Sequence, residues 1–204
     1  MKMIKAVIFD LNGVFIKSDL LSNRFQRDYG ISSEEVIAAL KDVMPKVRQP
    51  KAPPCYALWK PYLNKWNIKL DEKEFFQYWF SGEHLVPKML EYAQELINQK
   101  IKVFLLSNNF KERTTYYREH FPELFRVVDK AYFSWETGFV KPDRKAYLSI
   151  GKENRLKLEE CIYFDDSEQN ATAARSSGMH AERWEGLARA KKTIDALLKE
   201  KMRF

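Results

Sequence analysis

The chain has 204 residues, 45% of them hydrophobic, with a formal charge of +7. That length fits one domain, or one domain with a modest insertion, and the apolar content supports a packed core rather than disorder. No apolar run reaches the ~18 residues of a membrane span, the short N-terminal run is not a signal peptide, and no basic tract with interleaved aromatics marks a nucleic-acid surface.

Ala6 to Phe9 is a short apolar, β-favouring run without polar alternation, the pattern of a strand buried on both faces of a parallel sheet. It stops at Asp10, and Gly13 signals a turn just beyond. A carboxylate at the tip of a buried strand sits where open α/β sheets take ligands, although most such Asp residues only cap or turn the chain.

From residue 17 to about 84 the pattern is helical and aromatic-rich, with no strand signal. Ser18 is placed to cap a helix carrying Leu20, Leu21, Phe25 and Tyr29 and ended by Gly30. Ser32 and Glu35 have capping-box spacing ahead of Val36, Ile37, Leu40, Val43 and Met44 on one face. Pro45 to Pro54 reads as a break. It carries Lys46, Arg48 and Lys51, with Lys60 beyond, residues that either face solvent or meet an anionic substrate when a lid closes. Tyr56, Trp59, Leu63 and Trp66, then Phe75, Phe76, Trp79 and Phe80, repeat at helical spacing; such a stripe can line a substrate pocket but more often forms the core of a small bundle.

After Val86 strands and helices alternate. Pro87 opens a helix, Ile101 to Leu106 is a strand ending in Ser107-Asn108-Asn109, and a helix carrying Arg113 and Arg118, both expected to be solvated, closes near Phe121. Ala131 to Ser134 is a short strand, followed by Gly138-Phe-Val-Lys141-Pro142 and a helix from Asp143 to about Lys152. Cys161 to Phe164 is a strand ending in Asp165-Asp166, and a last strand and helix follow Gly178. This alternation means βαβ units and a Rossmann-like α/β core, a parallel sheet between two helical layers. The domain division is 1–16 and 85–204 for that core, and 17–84 for a small all-helical unit. Cys55 and Cys161 lack metal or redox spacing and read as reduced thiols of a cytoplasmic protein. His84, His120 and His180 are scattered, without metal spacing.

Parallel strands bring their C-terminal ends to one sheet edge, so Asp10, Ser107 and Asp165-Asp166 can converge, with Lys141 in reach. This set suits phosphoryl transfer. A carboxylate can attack phosphorus, and Mg²⁺, held by Asp10, Asp166 and the Asn12 carbonyl, would offset the repulsion between carboxylates and phosphate. Lys141, the Ser107 hydroxyl and N–H groups at the next helix start would cradle the phosphoryl oxygens, with Asn108 and Asn109 as further amide donors or as helix caps.

FDLNGV, LLSNN, GFVKPD and YFDDSEQN resemble, in order and spacing, motifs one to four of the haloacid dehalogenase superfamily of phosphatases. The helical segment after the first motif resembles the C1 cap of its subfamily I. The resemblance implies Asp10 as nucleophile, Ser107 and Lys141 as phosphoryl ligands, Asp166 as a metal ligand, and Asp165 as a second acidic group near the metal. It implies a small phosphorylated metabolite as substrate; the sequence specifies neither that metabolite nor the oligomeric state.

The chain departs from the family at Asn12, where phosphatases carry the Asp that protonates the leaving group and activates water. A neutral amide does neither. The expected activity is therefore a slow Mg²⁺-dependent phosphomonoesterase; the alternative is a weak or inactive relative that binds phosphorylated ligands or partners. Family dehalogenases also lack the second Asp, but they need no metal, and the pair Asp165-Asp166 argues against that branch. Asn12-Gly13 is also the dipeptide most prone to deamidation, which would restore a carboxylate at position 12.

Overall fold

The computed structural model describes residues 3–199. The chain runs through β1 (Ala6–Phe9), β2 (Ile16–Ser18), α1 (Leu21–Tyr29), α2 (Ser33–Val47), α3 (Cys55–Lys65), α4 (Glu72–Phe80) and β3 (Glu83–Leu85). It continues through α5 (Pro87–Asn98), β4 (Lys102–Ser107), α6 (Lys111–His120), α7 (Pro122–Arg126), β5 (Lys130–Phe133) and α8 (Ser134–Thr137). The last elements are α9 (Arg144–Asn154), a 3-10 turn (Leu158–Glu160), β6 (Cys161–Asp165), α10 (Glu168–Ser177), β7 (His180–Arg183) and α11 (Leu187–Lys199).

Five strands form one parallel sheet in the order β5-β4-β1-β6-β7, with β1 at its centre. Both faces of β1 are buried, so its residues need no polar alternation. Val7 and Phe9 join Val103, Leu105, Ile162 and Phe164 on one face, packed against α5, α6 and α11. Ala6 and Ile8 join Phe104, Leu106 and Tyr163 on the other, against α9 and α10. The result is a three-layer α/β core. The register aligns Phe9 with Leu105 and Phe164, so Asp10, Ser107 and Asp165 all emerge at one edge.

Helices α1 to α4 pack around a separate aromatic cluster. Trp59 is fully buried and has ring contacts with Phe25, Phe75 and Trp79. Phe110, at the start of α6, packs against Trp79 with the two rings tilted and ties this cluster to the core.

Local expectations fail at four places. Ile16–Ser18 and Glu83–Leu85 pair as an antiparallel ribbon, so residues 17 to 84 are not free of strand. Ser18 does not cap α1, whose N-cap is Leu20 without a side-chain bond; the Ser18 hydroxyl instead accepts from Arg113 at 3.3 Å. Helix α2 runs through Pro45 to Val47, so the break starts later than the proline suggests. Arg113 is not solvated: it is paired with the buried Glu83 at 2.6 Å. The Ser32 cap is present, its hydroxyl accepting from Glu35 N–H at 3.3 Å.

Candidate active site

Asp10 follows β1 directly, and its N–H bonds the Phe164 carbonyl at 2.8 Å, which continues the ladder one residue past the strand. Its Oδ1 accepts from Leu11 N–H at 2.7 Å and from Lys141 Nζ at 2.9 Å. Gly13 turns the chain with φ of +87°, and a Cβ there would lie 2.8 Å from Asp166 Oδ2. Glycine is therefore required twice over, for the backbone angle and for the approach of the carboxylate.

Lys141 is buried, and four oxygens surround its ammonium: Asp10 Oδ1, Asp165 Oδ2 at 2.7 Å, the Leu106 carbonyl at 2.7 Å and the Tyr163 hydroxyl at 2.9 Å. The Asn108 side chain braces the lysine backbone, accepting from Lys141 N–H and donating to Lys141 C=O, both at 2.8 Å. Asn108 thus positions Lys141 instead of extending its amide into the cleft.

Asp165 is fully buried and both its oxygens are engaged. Oδ2 accepts from Lys141 and the Tyr163 hydroxyl; Oδ1 accepts from Ser167 N–H at 2.8 Å and Asn170 Nδ2 at 3.0 Å. Burial works to raise its carboxyl, but Lys141 and these donors outweigh it and hold it below the usual carboxylate range. Asp10 shares the same ammonium with fewer donors. Burial lifts it to about 6, with Lys141 pulling down and Asp165 pushing up. Asp166 is raised as well, first by burial and then by Asp165. Oxygens of the three carboxylates lie within 4.8 Å of one another. One lysine cannot balance three such groups, and a hard divalent cation has the donor set it prefers here.

Ser107 is buried at the end of β4, and its hydroxyl has no hydrogen-bond partner among the described residues. The expected cradle of N–H groups beyond it is partly engaged. Asn109 N–H donates to the Ser134 hydroxyl, and Phe110 N–H to Asn109 Oδ1.

Asn12 is held at both ends of its amide. Its Oδ1 accepts from Asn109 Nδ2 at 3.2 Å, and its Nδ2 donates to the Tyr117 hydroxyl at 2.7 Å. Tyr117 donates to Glu83, which pairs with Arg113. Tyr117, Glu83, Tyr163 and Asn170 were assigned no role from the sequence, and Arg113 was expected to be solvated. Only Tyr163 and Asn170 carried a usable signal: Tyr163 precedes Asp165 by two residues and shares its side of the strand, and Asn170 opens the helix behind it.

The model of the haloacid dehalogenase-like hydrolase family matches residues 4–178. Among solved structures, a haloacid dehalogenase family enzyme from Bacteroides thetaiotaomicron superposes with a TM-score of 0.79 at 20% identity, over 94% of this chain and 99% of that one. The same enzyme in complex with magnesium and inorganic phosphate gives 0.75 at 21% identity, over 88% and 93%. A predicted hydrolase of this type from Porphyromonas gingivalis gives 0.74 at 20% identity, over 95% and 98%. These likenesses carry the fold, while the family match spans the sheet edge from Asp10 to Asp166 and the helix behind it. The chain therefore belongs to the haloacid dehalogenase-like hydrolases.

Proposed function

We propose that the protein is a Mg²⁺-dependent phosphomonoesterase acting on a small phosphorylated metabolite through an aspartyl-phosphate on Asp10. The observation that carries this reading is the convergence of Asp10, Asp165 and Asp166 around one lysine at the sheet edge where β4 ends in Ser107. Asp10 is oriented through Oδ1, which leaves Oδ2 free to attack phosphorus as the ester P–O bond breaks. Lys141 and Ser107 would hold the phosphoryl oxygens. The structural neighbour crystallised with magnesium and phosphate supports the same chemistry. Asp10, Asp166 and the Asn12 carbonyl are our assignment for the metal. Asp165, both of whose oxygens are taken, positions Lys141 instead. Bound Mg²⁺ would supply the positive charge that lets a phosphate dianion approach three carboxylates. Residues 17–84 would act as a cap over a core of 1–16 and 85–204. Both cysteines are free and buried, which suits a cytoplasmic location.

Asn12 favours a second reading, a weak or inactive relative, because its amide is locked between Asn109 and Tyr117 and moves no proton. Phosphate release from a panel of phosphomonoesters, with Mg²⁺ and with EDTA, separates the two. Mg²⁺-dependent release from at least one ester is expected. Binding without release, by both the wild type and Asn12→Asp, would establish the second reading.

A further inference from the structure

Of the basic residues from the last turn of α2 to the start of α3, Lys46 is paired at the surface with Asp42, and Lys51 is exposed. Arg48 differs. It ends α2, its Nε is buried without a hydrogen-bond partner, and its guanidinium has no hydrogen bond or ion pair among the described residues. The charged groups near enough to act on it are Arg113, unfavourably, and Asp10, favourably. Arg113 likewise has its Nε buried and unpartnered, and among the described residues its carboxylate partner is Glu83. Two residues on, Pro50 abuts the Gly138 turn that leads to Lys141, so the loop carrying Arg48 lies against the core side of the site.

A buried guanidinium without a partner is costly. Arg113 has the Glu83 carboxylate and Arg48 has none among the described residues, so this wall of the cleft holds surplus positive charge where the floor holds surplus negative charge. The transferred phosphoryl group answers to the floor. The wall needs another anion, and a guanidinium reads a carboxylate or phosphate through paired N–H donors.

We propose that Arg48, backed by Arg113, binds a second anionic group of the substrate, so that preferred substrates are phosphomonoesters carrying a further carboxylate or phosphate. This rests on the phosphatase reading above. The test compares matched pairs with the full-length protein and Mg²⁺: phosphoglycolate against phosphoglycolamide, and propanediol bisphosphate against propyl phosphate. The wild type should favour the second anion in kcat/KM by roughly 10- to 100-fold, the range of a hydrogen bond to a charged group. The two pairs distinguish carboxylate from phosphate. In Arg48→Gln that ratio should fall towards unity through KM, and Arg48→Lys should restore part of it. An unchanged ratio in a folded Arg48→Gln, or equal losses on both members of each pair, overturns the proposal and leaves the phosphatase reading standing. Should no ester be hydrolysed, the phosphatase reading fails, and calorimetric binding of the same pairs to wild type and Arg48→Gln decides the role of Arg48 by the same ratio.

Discussion

Position 12 shows what a single residue decides. Tyr117 gives its proton to Glu83 and so can only accept from residue 12, which an amide satisfies. A carboxyl there must either carry a proton, and donate it to Tyr117, or compete with Glu83 for the phenol. The protonated form is what a leaving group needs. Asn12→Asp should therefore raise steady-state phosphate release by roughly 10²-fold, the lower end of the usual range for a general acid. The same locking bears on deamidation. Gly13 N–H, the attacking group, bonds the Ile16 carbonyl at 2.7 Å, and the Asn12 side chain is tied at both ends. Peptide mapping of aged protein should find Asn12 intact. Gly13→Ala forces a positive φ on a residue with a Cβ and crowds Asp166; a loss of about 1–2 kcal/mol in denaturant unfolding is expected. Asp10, Ser107, Lys141 and Asp165-Asp166 were legible because each sits at a strand end or in a short motif. Glu83 and Tyr117 were not, since their roles arise only when distant segments meet, and Arg48 stood out only as one of four basic residues that could meet an anion.

At the scale of elements, apolar runs foretold the three central sheet strands, because burial on both faces leaves an unbroken signature. The ribbon of β2 and β3 left none. Three-residue strands have no readable period, and these two lie on either side of the whole helical insertion. The ribbon nevertheless matters to the site, since it carries Glu83 to Tyr117. The insertion's own stability rests on its aromatic cluster, with Trp59 at the centre. Trp59→Ala should cost about 3–5 kcal/mol in equilibrium unfolding, as other buried aromatic truncations do. A cost below 1 kcal/mol, on the order of a surface change, would mean that the cluster is not what holds these helices together.

At the scale of the whole molecule, the site trades stability for charge. A carboxyl raised to about 6 by folding binds its proton more tightly in the native state than in the unfolded one. In EDTA its stabilising contribution is fully present below the ordinary value of 3.8 and is lost as pH rises through about 6. Asp10→Asn should remove that part of the pH dependence of unfolding. Adding Mg²⁺ at neutral pH should raise the wild-type melting temperature, and Asp166→Asn should blunt the rise. The most direct measurement of the central claim is to quench turnover in acid, reduce the trapped acyl-phosphate with borohydride and map the modified peptide. Modification at Asp10, abundant in the wild type and absent in Asp10→Asn, which also loses turnover, is the predicted result. Modification at another residue, or undiminished turnover in Asp10→Asn, would contradict it.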